Sequence, residues 1–124
     1  MPIHFAIDRT KDLTVFNFSS EVILTEFIAV LNDYGKQKPT RFELYDVRGL
    51  SGERFTANDI QGLADFLKKH AGKRPSDSKT VIVVSETIDY GLSRMISILT
   101  DGLVPYRIEV FRSIEKANRW LEEP

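Results

Sequence analysis

Four polar side chains with complementary chemistry lie close together in the chain: Asp46, Arg48, Ser51 and Arg54. Guanidinium groups bind carboxylates or phosphates through paired hydrogen bonds, and the N-terminus of a helix favours negative charge. Because a helical pattern begins directly after this stretch, these residues could bind an anionic ligand. The alternative is a surface loop whose arginines are solvated or pair with Asp46 and Glu53.

A second pair of polar side chains, Tyr90 and Arg94, lies four residues apart and so shares one face of a predicted helix. This helix follows a strand that ends near Ser85. If the two strand ends are neighbours, Tyr90 and Arg94 could complete a pocket with Asp46 and Arg48. The alternative is a structural pair in which an arginine covers a packed tyrosine.

The strands that must position these residues are indicated by the pattern of apolar residues. Short runs rich in β-branched and aromatic residues, bounded by turn residues, are typical of strands. Such runs predict strands over Ile3–Asp8, Leu13–Phe18, Phe42–Val47, Thr80–Val84 and Tyr106–Phe111. The first two strands are joined by a polar turn and predict a β-hairpin. The fourth is continuously apolar and predicts a strand covered on both faces, whereas the fifth alternates and predicts an edge strand.

Four other segments carry apolar residues at helical spacing. They predict helices from Val22 to Tyr34, from Thr56 to near Gly72, from Ile88 to Leu99 and from Ile114 to Leu121. Ser20 or Thr25 is the expected N-cap of the first helix, and Ser113 is that of the last. Thr56 and Asp59 predict a capping-box-like start of the second helix.

The order of these elements is ββαβαβαβα. Strands that alternate with helices pair in parallel through right-handed crossovers. We therefore predict a single α/β domain over residues 1–124, with a mostly parallel five-stranded sheet, an antiparallel first strand and four helices. Ligands of such sheets bind outside the carboxyl ends of the parallel strands, where Asp46 and Arg48 are expected to lie. We expect an apolar pocket at that edge, covered by Leu50 and Phe55.

Two segments of the second half, together with the central strand Phe42–Val47, carry a resemblance to a known family. They read Tyr-Gly-Leu-Ser-Arg-Met at 90–95 and Phe-Arg-Ser-Ile-Glu-Lys-Ala-Asn-Arg-Trp-Leu at 111–121. With them the chain resembles the anti-sigma-factor-antagonist-like superfamily (STAS, SpoIIAA-like), and looks closest to a branch of uncharacterised bacterial proteins. The resemblance implies a singly wound α/β domain that is not an enzyme. It also implies binding, either of a regulatory partner, as in the antagonists, or of an apolar ligand, as in the lipid-carrier-like relatives.

The resemblance further implies a candidate modification site. In the antagonists a phosphorylatable serine follows the central strand in an Asp-Ser-Ser-Gly-like turn. The corresponding turn here, Asp46–Gly52, keeps the aspartate and a glycine but not the paired serines. Ser51 is therefore the position at which phosphorylation would be carried over, and its added charge would face the arginines of its own loop.

Composition argues against several other classes of function. The chain has 124 residues, a net charge of −1 and no cysteine, so it lacks a thiolate nucleophile, a disulfide framework and a cysteine-based metal site. Two isolated histidines, His4 and His70, do not supply a histidine metal site or a Ser-His-Asp triad. Neither a G-x-G-x-x-G motif nor a P-loop is present. We therefore expect no cofactor, no metal and no catalytic residues.

Charge and hydropathy bear on the partners. Basic residues in the predicted helix-to-strand turns could form a patch for an anionic surface, but cations at helix C-termini also complement the helix dipole. These residues are Lys36, Lys38, Arg41, Lys68, Lys69, Lys73, Arg74 and Lys79. We expect no nucleic-acid binding, no stable membrane insertion and a cytoplasmic location. The predicted edge strand leaves homodimerisation open.

The predicted function is a non-catalytic binding or regulatory module. Its ligand, small and apolar or anionic, or its protein partner would bind at the C-terminal ends of the parallel strands. The residues assigned to this site are Asp46, Arg48, Ser51, Arg54, Tyr90 and Arg94. The alternative is a phosphorylation-controlled partner switch that uses Ser51. A small hydrolase or transferase ranks third, because no activated nucleophile or general base can be named.

Overall fold

The computed structural model describes residues 3–19, 22–70, 73–102 and 104–124. The strands are β1 (Ile3–Asp8), β2 (Leu13–Phe18), β3 (Phe42–Asp46), β4 (Lys79–Val83) and β5 (Arg107–Phe111). The helices are α1 (Leu24–Tyr34), α2 (Ala57–His70), α3 (Tyr90–Thr100) and α4 (Ile114–Glu122). Their order is the one that the sequence predicts.

The strands form one sheet in the order β1-β2-β3-β4-β5. β1 is antiparallel to β2, and all other neighbours are parallel. Asp46 at the end of β3 pairs with Val83 at the end of β4. The carboxyl ends of these two strands therefore lie side by side. The predicted fold class is confirmed.

Apolar side chains are buried on both faces of the sheet. Ile82 of β4 belongs to the larger core cluster, which also contains buried residues from α1, α2 and α3. Its neighbours Val81 and Val83 belong to a second cluster, which contains Ala117 and Leu121 of α4. Successive residues of β4 therefore point to opposite faces of the sheet, as the two-residue period of a strand requires. The continuous apolar run in β4 therefore has the two covered faces that the sequence predicts.

The predicted start of α1 and the predicted end of α2 are compared with the structure here. α1 begins at Leu24, and its N-cap Ile23 makes no side-chain capping hydrogen bond. Thr25 lies inside the helix, so the prediction that it caps α1 is wrong. Ser20, the alternative cap, and Gly72, the predicted end of α2, lie outside the described residues.

The other caps follow from local hydrogen bonds. Thr56 and Asp59 form a reciprocal capping pair at the start of α2, with two backbone-to-side-chain hydrogen bonds of 3.1 Å. The Ser113 hydroxyl accepts from the backbone N–H of Lys116 in α4 at 3.3 Å. Both predictions are confirmed. α3 begins at Tyr90, later than the apolar pattern predicts, because Asp89 caps it.

Two further expectations concern the surface of the fold. β5 lies at an edge of the sheet, as the alternating pattern predicts, and homodimerisation through this edge stays a prediction. Within the described ranges, no helix has both the length and the apolar character needed to cross a bilayer.

Candidate functional site

The loop after β3 begins with an ion pair. Arg48 donates from Nε to Asp46 Oδ1 at 2.9 Å and from Nη2 to Asp46 Oδ2 at 2.8 Å. These hydrogen bonds hold the pKa of Asp46 below its ordinary value. The carbonyl oxygen of Arg48 accepts a hydrogen bond from the Ser85 hydroxyl, which ties the loop to the segment after β4. Arg48 therefore pairs within its own loop, which is the alternative that the sequence left open.

Asp89 joins the loop after β3 to the start of α3. Its Oδ2 accepts from the backbone N–H of Gly52 at 2.7 Å and from the Ser51 hydroxyl at 3.3 Å. Its Oδ1 accepts from the backbone N–H of Leu92 at 2.8 Å. One carboxylate thus caps a helix and holds a distant loop. The two segments that were expected at the same edge of the sheet are therefore in contact.

Ser51 has a carboxylate as its neighbour. Its hydroxyl donates to Asp89 and accepts from the backbone N–H of Glu53 at 3.3 Å. The sequence analysis expected an added charge at Ser51 to face the arginines of its own loop. A phosphate attached there would instead begin beside Asp89. Phosphorylation of Ser51 stays a prediction, but its immediate effect would be repulsion.

Tyr90 and Arg94 share one face of α3, as their spacing predicts. The guanidinium carbon of Arg94 lies 5.6 Å from the centroid of the Tyr90 ring, which is a cation–π contact. Tyr90 is 78% exposed. The arginine covers the ring as in the structural alternative, yet the ring is not packed in the core. Arg54, at the end of the loop after β3, is also exposed.

Leu50 and Phe55 belong to the core. Both are buried, and both belong to the larger core cluster together with Leu92 of α3. The prediction that they cover a pocket is therefore wrong. Burial of these apolar side chains is favourable because it removes their area from water. It packs the loop firmly against α3 and leaves polar residues at its surface.

Two adjoining cavities lie toward the amino ends of β3, β4 and β5. The loop after β3 lies at the opposite, carboxyl ends of the strands. Their volumes are about 80 and about 30 Å³. Both are lined by Glu43, Tyr45, Leu67 and Tyr106. None of the six residues assigned to the predicted site lines either cavity.

The larger cavity contains a buried ion pair. Glu43 is 4% exposed, and its Oε1 accepts from the Tyr45 hydroxyl at 2.9 Å. Its Oε2 lies 3.3 Å from Nε of Arg74, whose side chain is 7% exposed. Burial raises the pKa of Glu43, against the opposing attraction of Arg74, and also raises the pKa values of Tyr45 and Tyr106. Perturbed titratable groups that line a cavity are candidates for a functional site.

The sequence analysis did not identify this cluster, although one signal was present. Glu43 lies inside the predicted strand Phe42–Val47, and a carboxylate in a buried strand needs a partner. The partner, Arg74, comes from the segment before β4, and Tyr106 comes from the segment before β5. Periodicity cannot name contacts of this kind, because it describes one element at a time.

Two residues assigned to a basic surface patch are buried. The Arg74 side chain pairs with Glu43, and Lys79 is 2% exposed. Nζ of Lys79 donates to the carbonyl oxygens of Trp120 and Glu123. Lys79 therefore neutralises the C-terminal end of α4, which agrees with the helix-dipole interpretation. Neither residue is available to an anionic surface.

The donor set for metals is sparse. Within the described ranges there is no group of three or more His, Cys, Asp or Glu residues that could hold a metal ion. His70 packs against Phe66, with ring centroids 4.3 Å apart, and lines the larger cavity.

Comparison with known proteins identifies the fold. The chain is similar to the crystal structure of an uncharacterised protein of the DUF3478 family, with a SpoIIAA-like fold, from Shewanella loihica PV-4. The two are 19% identical with a TM-score of 0.58, and the match covers 96% of this chain and 93% of that chain. No family model and no curated protein matches the sequence. At this level of identity the likeness shows the fold alone, and the SpoIIAA-like fold that the resemblance implies is confirmed.

Proposed function

We propose that the protein is a non-catalytic binding module with a regulatory role, and that a protein partner docks at the carboxyl ends of β3 and β4. The docking surface consists of Arg48, Arg54, Tyr90 and Arg94. A role of this kind is the one that the resemblance to anti-sigma-factor antagonists implies. The contact between the two loops supports the proposal, because it presents these side chains from a preformed scaffold.

The observation that carries this proposal is the exposure of Tyr90. This residue is 78% exposed. It lies on a helix whose first turn is held by Asp89 and whose next residues include the buried Leu92. Tyrosine and arginine are enriched among the residues that dominate protein–protein affinity. The contact with Arg94 orders both side chains before binding, which reduces the entropic cost of association.

Affinity purification tests the proposal. Tagged wild-type protein, the double variant Tyr90→Ala/Arg94→Ala and the control Arg119→Ala are produced in the organism that encodes the chain. Arg119 is exposed on α4, which packs on the other face of the sheet. Thermal unfolding first establishes that all three proteins are folded. Copurifying proteins are then quantified by mass spectrometry.

We expect one protein that copurifies with the wild type and with Arg119→Ala, and that falls at least about tenfold with the double variant. This loss corresponds to about 1.4 kcal/mol, which is within the range of a single hot-spot residue. The same set of proteins from all three baits would contradict the proposed surface. A partner lost equally with Arg119→Ala would place the binding site elsewhere.

A phosphorylation-controlled switch is the second candidate, favoured by one contact. Because Ser51 bonds to Asp89, a phosphate on Ser51 would repel the carboxylate that holds the loop to α3. The modification would release the loop and so change the docking surface. Mass spectrometry of protein purified from its own cells tests this candidate. Absence of phosphate from Ser51 under every growth condition sampled would exclude it.

A further inference from the structure

The strand β5 lies at one side of the sheet and presents an open backbone edge. In the described sheet its only neighbour is β4. The carbonyl oxygen of Phe111 accepts from the backbone N–H of Val84, which directly follows β4, at 2.9 Å. Phe111 therefore directs its backbone polar groups toward β4. Because successive residues of a strand alternate in this direction, Ile108 and Val110 direct their N–H and C=O groups outward, where a further strand could pair with them.

The side chains along this open edge are charged on one face of the sheet and apolar on the other. Arg107 and Glu109 are exposed. The guanidinium carbon of Arg107 lies 5.2 Å from the centroid of the Trp120 ring, so Arg107 lies on the face covered by α4. Glu109 lies on the same face, because side chains two residues apart in a strand share a face. On the opposite face Val110 is an exposed apolar residue.

The two charges are complementary to those of a second copy that runs antiparallel. In a two-fold pairing centred on Ile108, Arg107 of each copy lies directly opposite Glu109 of the other. The outward groups of the two Ile108 residues then exchange both of their hydrogen bonds. Opposite charges directly across an antiparallel pair are favourable. A pairing centred on Arg107 or on Glu109 would instead place two like charges opposite each other, which is unfavourable.

The strand at the other side of the sheet, β1, lacks this pattern. With histidine counted as neutral, Asp8 is the only charged residue of β1, and its carboxylate accepts from the backbone N–H of Thr10 at 3.0 Å. Charged side chains commonly protect exposed edge strands from pairing. Arg107 and Glu109 do not protect β5 from its own copy, because their signs are opposite. The occupant that fits the open edge of β5 is therefore a second copy of this chain.

We infer that two copies of the chain form a homodimer by antiparallel pairing of their β5 strands, in the register centred on Ile108. The two sheets become one continuous sheet, and the α4 helices of both copies lie on the same face. This contact is separate from the surface proposed above at the carboxyl ends of β3 and β4. It is also short, and small interfaces belong to weak, transient complexes. The dimer should therefore dissociate on dilution.

Two charge reversals test the pairing. Arg107→Glu makes positions 107 and 109 both acidic, and Glu109→Arg makes both basic, so each variant repels its own copy. Lys68→Glu is the control, because Lys68 is exposed on α2 and the change in charge equals that of Arg107→Glu. Thermal unfolding first establishes that all variants are folded. Sedimentation equilibrium then measures dimerisation at low salt, since salt screens exposed charge pairs.

We expect wild type and Lys68→Glu to dimerise equally, and each charge reversal to weaken the dimer by about tenfold or more. A dimer of unchanged affinity in either reversal would overturn the inference. Equal weakening by Lys68→Glu would overturn it too, because the effect would then not be specific to β5. A wild-type chain that stays monomeric up to about 1 mM, where even weak complexes form, would also overturn it.

A mixture of the two reversal variants gives the sharpest test. Positions 107 and 109 are acidic in one variant and basic in the other, so every charge pair across a mixed dimer is attractive. We expect an equimolar mixture to form a heterodimer at least as tightly as wild type forms its homodimer. Native mass spectrometry distinguishes the heterodimer from both homodimers by mass. Absence of the heterodimer would contradict pairing through these charges.

Hydrogen exchange tests the register. The amide of Ile108 faces outward in the single chain, so its exchange should slow as the protein concentration rises and the dimer forms. The amides of Glu109 and Phe111 face β4 in both states, and their exchange provides the internal control. A dimer in which the amide of Ile108 exchanges as fast as in the monomer would use a different surface and would overturn the inference.

Discussion

The backbones of Gly52 and Gly91 are in contact where the loop after β3 meets the first turn of α3. A Cβ atom on either glycine would come within 2.7 Å of the carbonyl carbon of the other. Carbon atoms in ordinary contact are about 3.5–4.0 Å apart. Because the obstructing atoms belong to the backbone, no side-chain rotation relieves the overlap. The absence of both side chains allows Asp89 to reach the backbone of Gly52.

A methyl group at Gly91 should therefore be costly. We expect Gly91→Ala to lower the free energy of unfolding by about 2 kcal/mol or more, since the loop must move away from α3. Gly62→Ala is the matched control, because Gly62 lies inside α2 and a Cβ there would have no neighbour within 4 Å. The control should be stabilised by about 0.5–1 kcal/mol. Urea unfolding measures both, and a Gly91→Ala variant as stable as wild type would contradict the observed contact.

Asp89 has a larger role than an ordinary helix cap. Asp89→Ala removes the acceptor for Ser51, Gly52 and Leu92 together, and we expect a loss of about 2–3 kcal/mol in the free energy of unfolding. Ser113→Ala removes the cap of α4 alone and should cost about 1 kcal/mol. Hydrogen exchange should accelerate at the Gly52 amide in the Asp89→Ala variant. Equal losses in the two variants, with Gly52 still protected, would show that Asp89 acts only on its own helix.

Local patterns predict the fold well because each strand and helix is encoded by its own residues. Thr56 with Asp59 and Ser113 predict helix starts correctly, since a cap contacts only the next turn. Thr25 is misassigned because several polar residues precede α1 and the true N-cap, Ile23, makes no side-chain hydrogen bond.

The site is harder to predict because its contacts join distant parts of the chain. Leu50 and Phe55 are apolar in a loop, and the sequence alone does not distinguish a lid from a core residue. Only the position of α3 shows that both are buried. The sequence analysis did not assign Asp89 to the site, because the role of Asp89 depends on its hydrogen bond with Gly52. That glycine lies in a loop 37 residues earlier in the chain. The partner of Glu43 is likewise set by the packing of separate segments.

The ion pair between Asp46 and Arg48 should affect the pKa of Asp46 more than the stability of the fold. The Arg48 side chain is 48% exposed, so Arg48→Ala should cost less than about 1 kcal/mol at neutral pH. Its hydrogen bonds lower the pKa of Asp46, so the variant should move that pKa up toward the ordinary 3.8. Because the pKa of Asp46 is lower in the folded chain, the ionised carboxylate stabilises the fold at pH values above its ordinary pKa. This contribution is lost as the pH falls through the lowered pKa. NMR titration of the Asp46 carboxyl carbon measures the change; an unchanged pKa would show that Arg48 is not its main partner.

Glu43 should make the fold less stable as the pH rises. Burial raises its pKa above the ordinary 4.5, although Arg74 opposes the shift. The folded chain therefore holds the proton of Glu43 more tightly than the unfolded chain does. The stability that this proton contributes is fully present below pH 4.5 and is lost as the pH rises through the raised pKa of Glu43. Glu43→Gln keeps the shape and the acceptor for Tyr45 but does not titrate.

The measured quantity is the difference in free energy of unfolding between wild type and Glu43→Gln across this pH range. The difference removes contributions from groups with lowered pKa values, such as Asp8 and Asp46, which act in the opposite direction. We expect wild type to lose stability relative to Glu43→Gln as the pH rises from 4.5. If wild type instead gains stability relative to the variant, the attraction of Arg74 outweighs burial and the carboxylate is ionised in the folded chain.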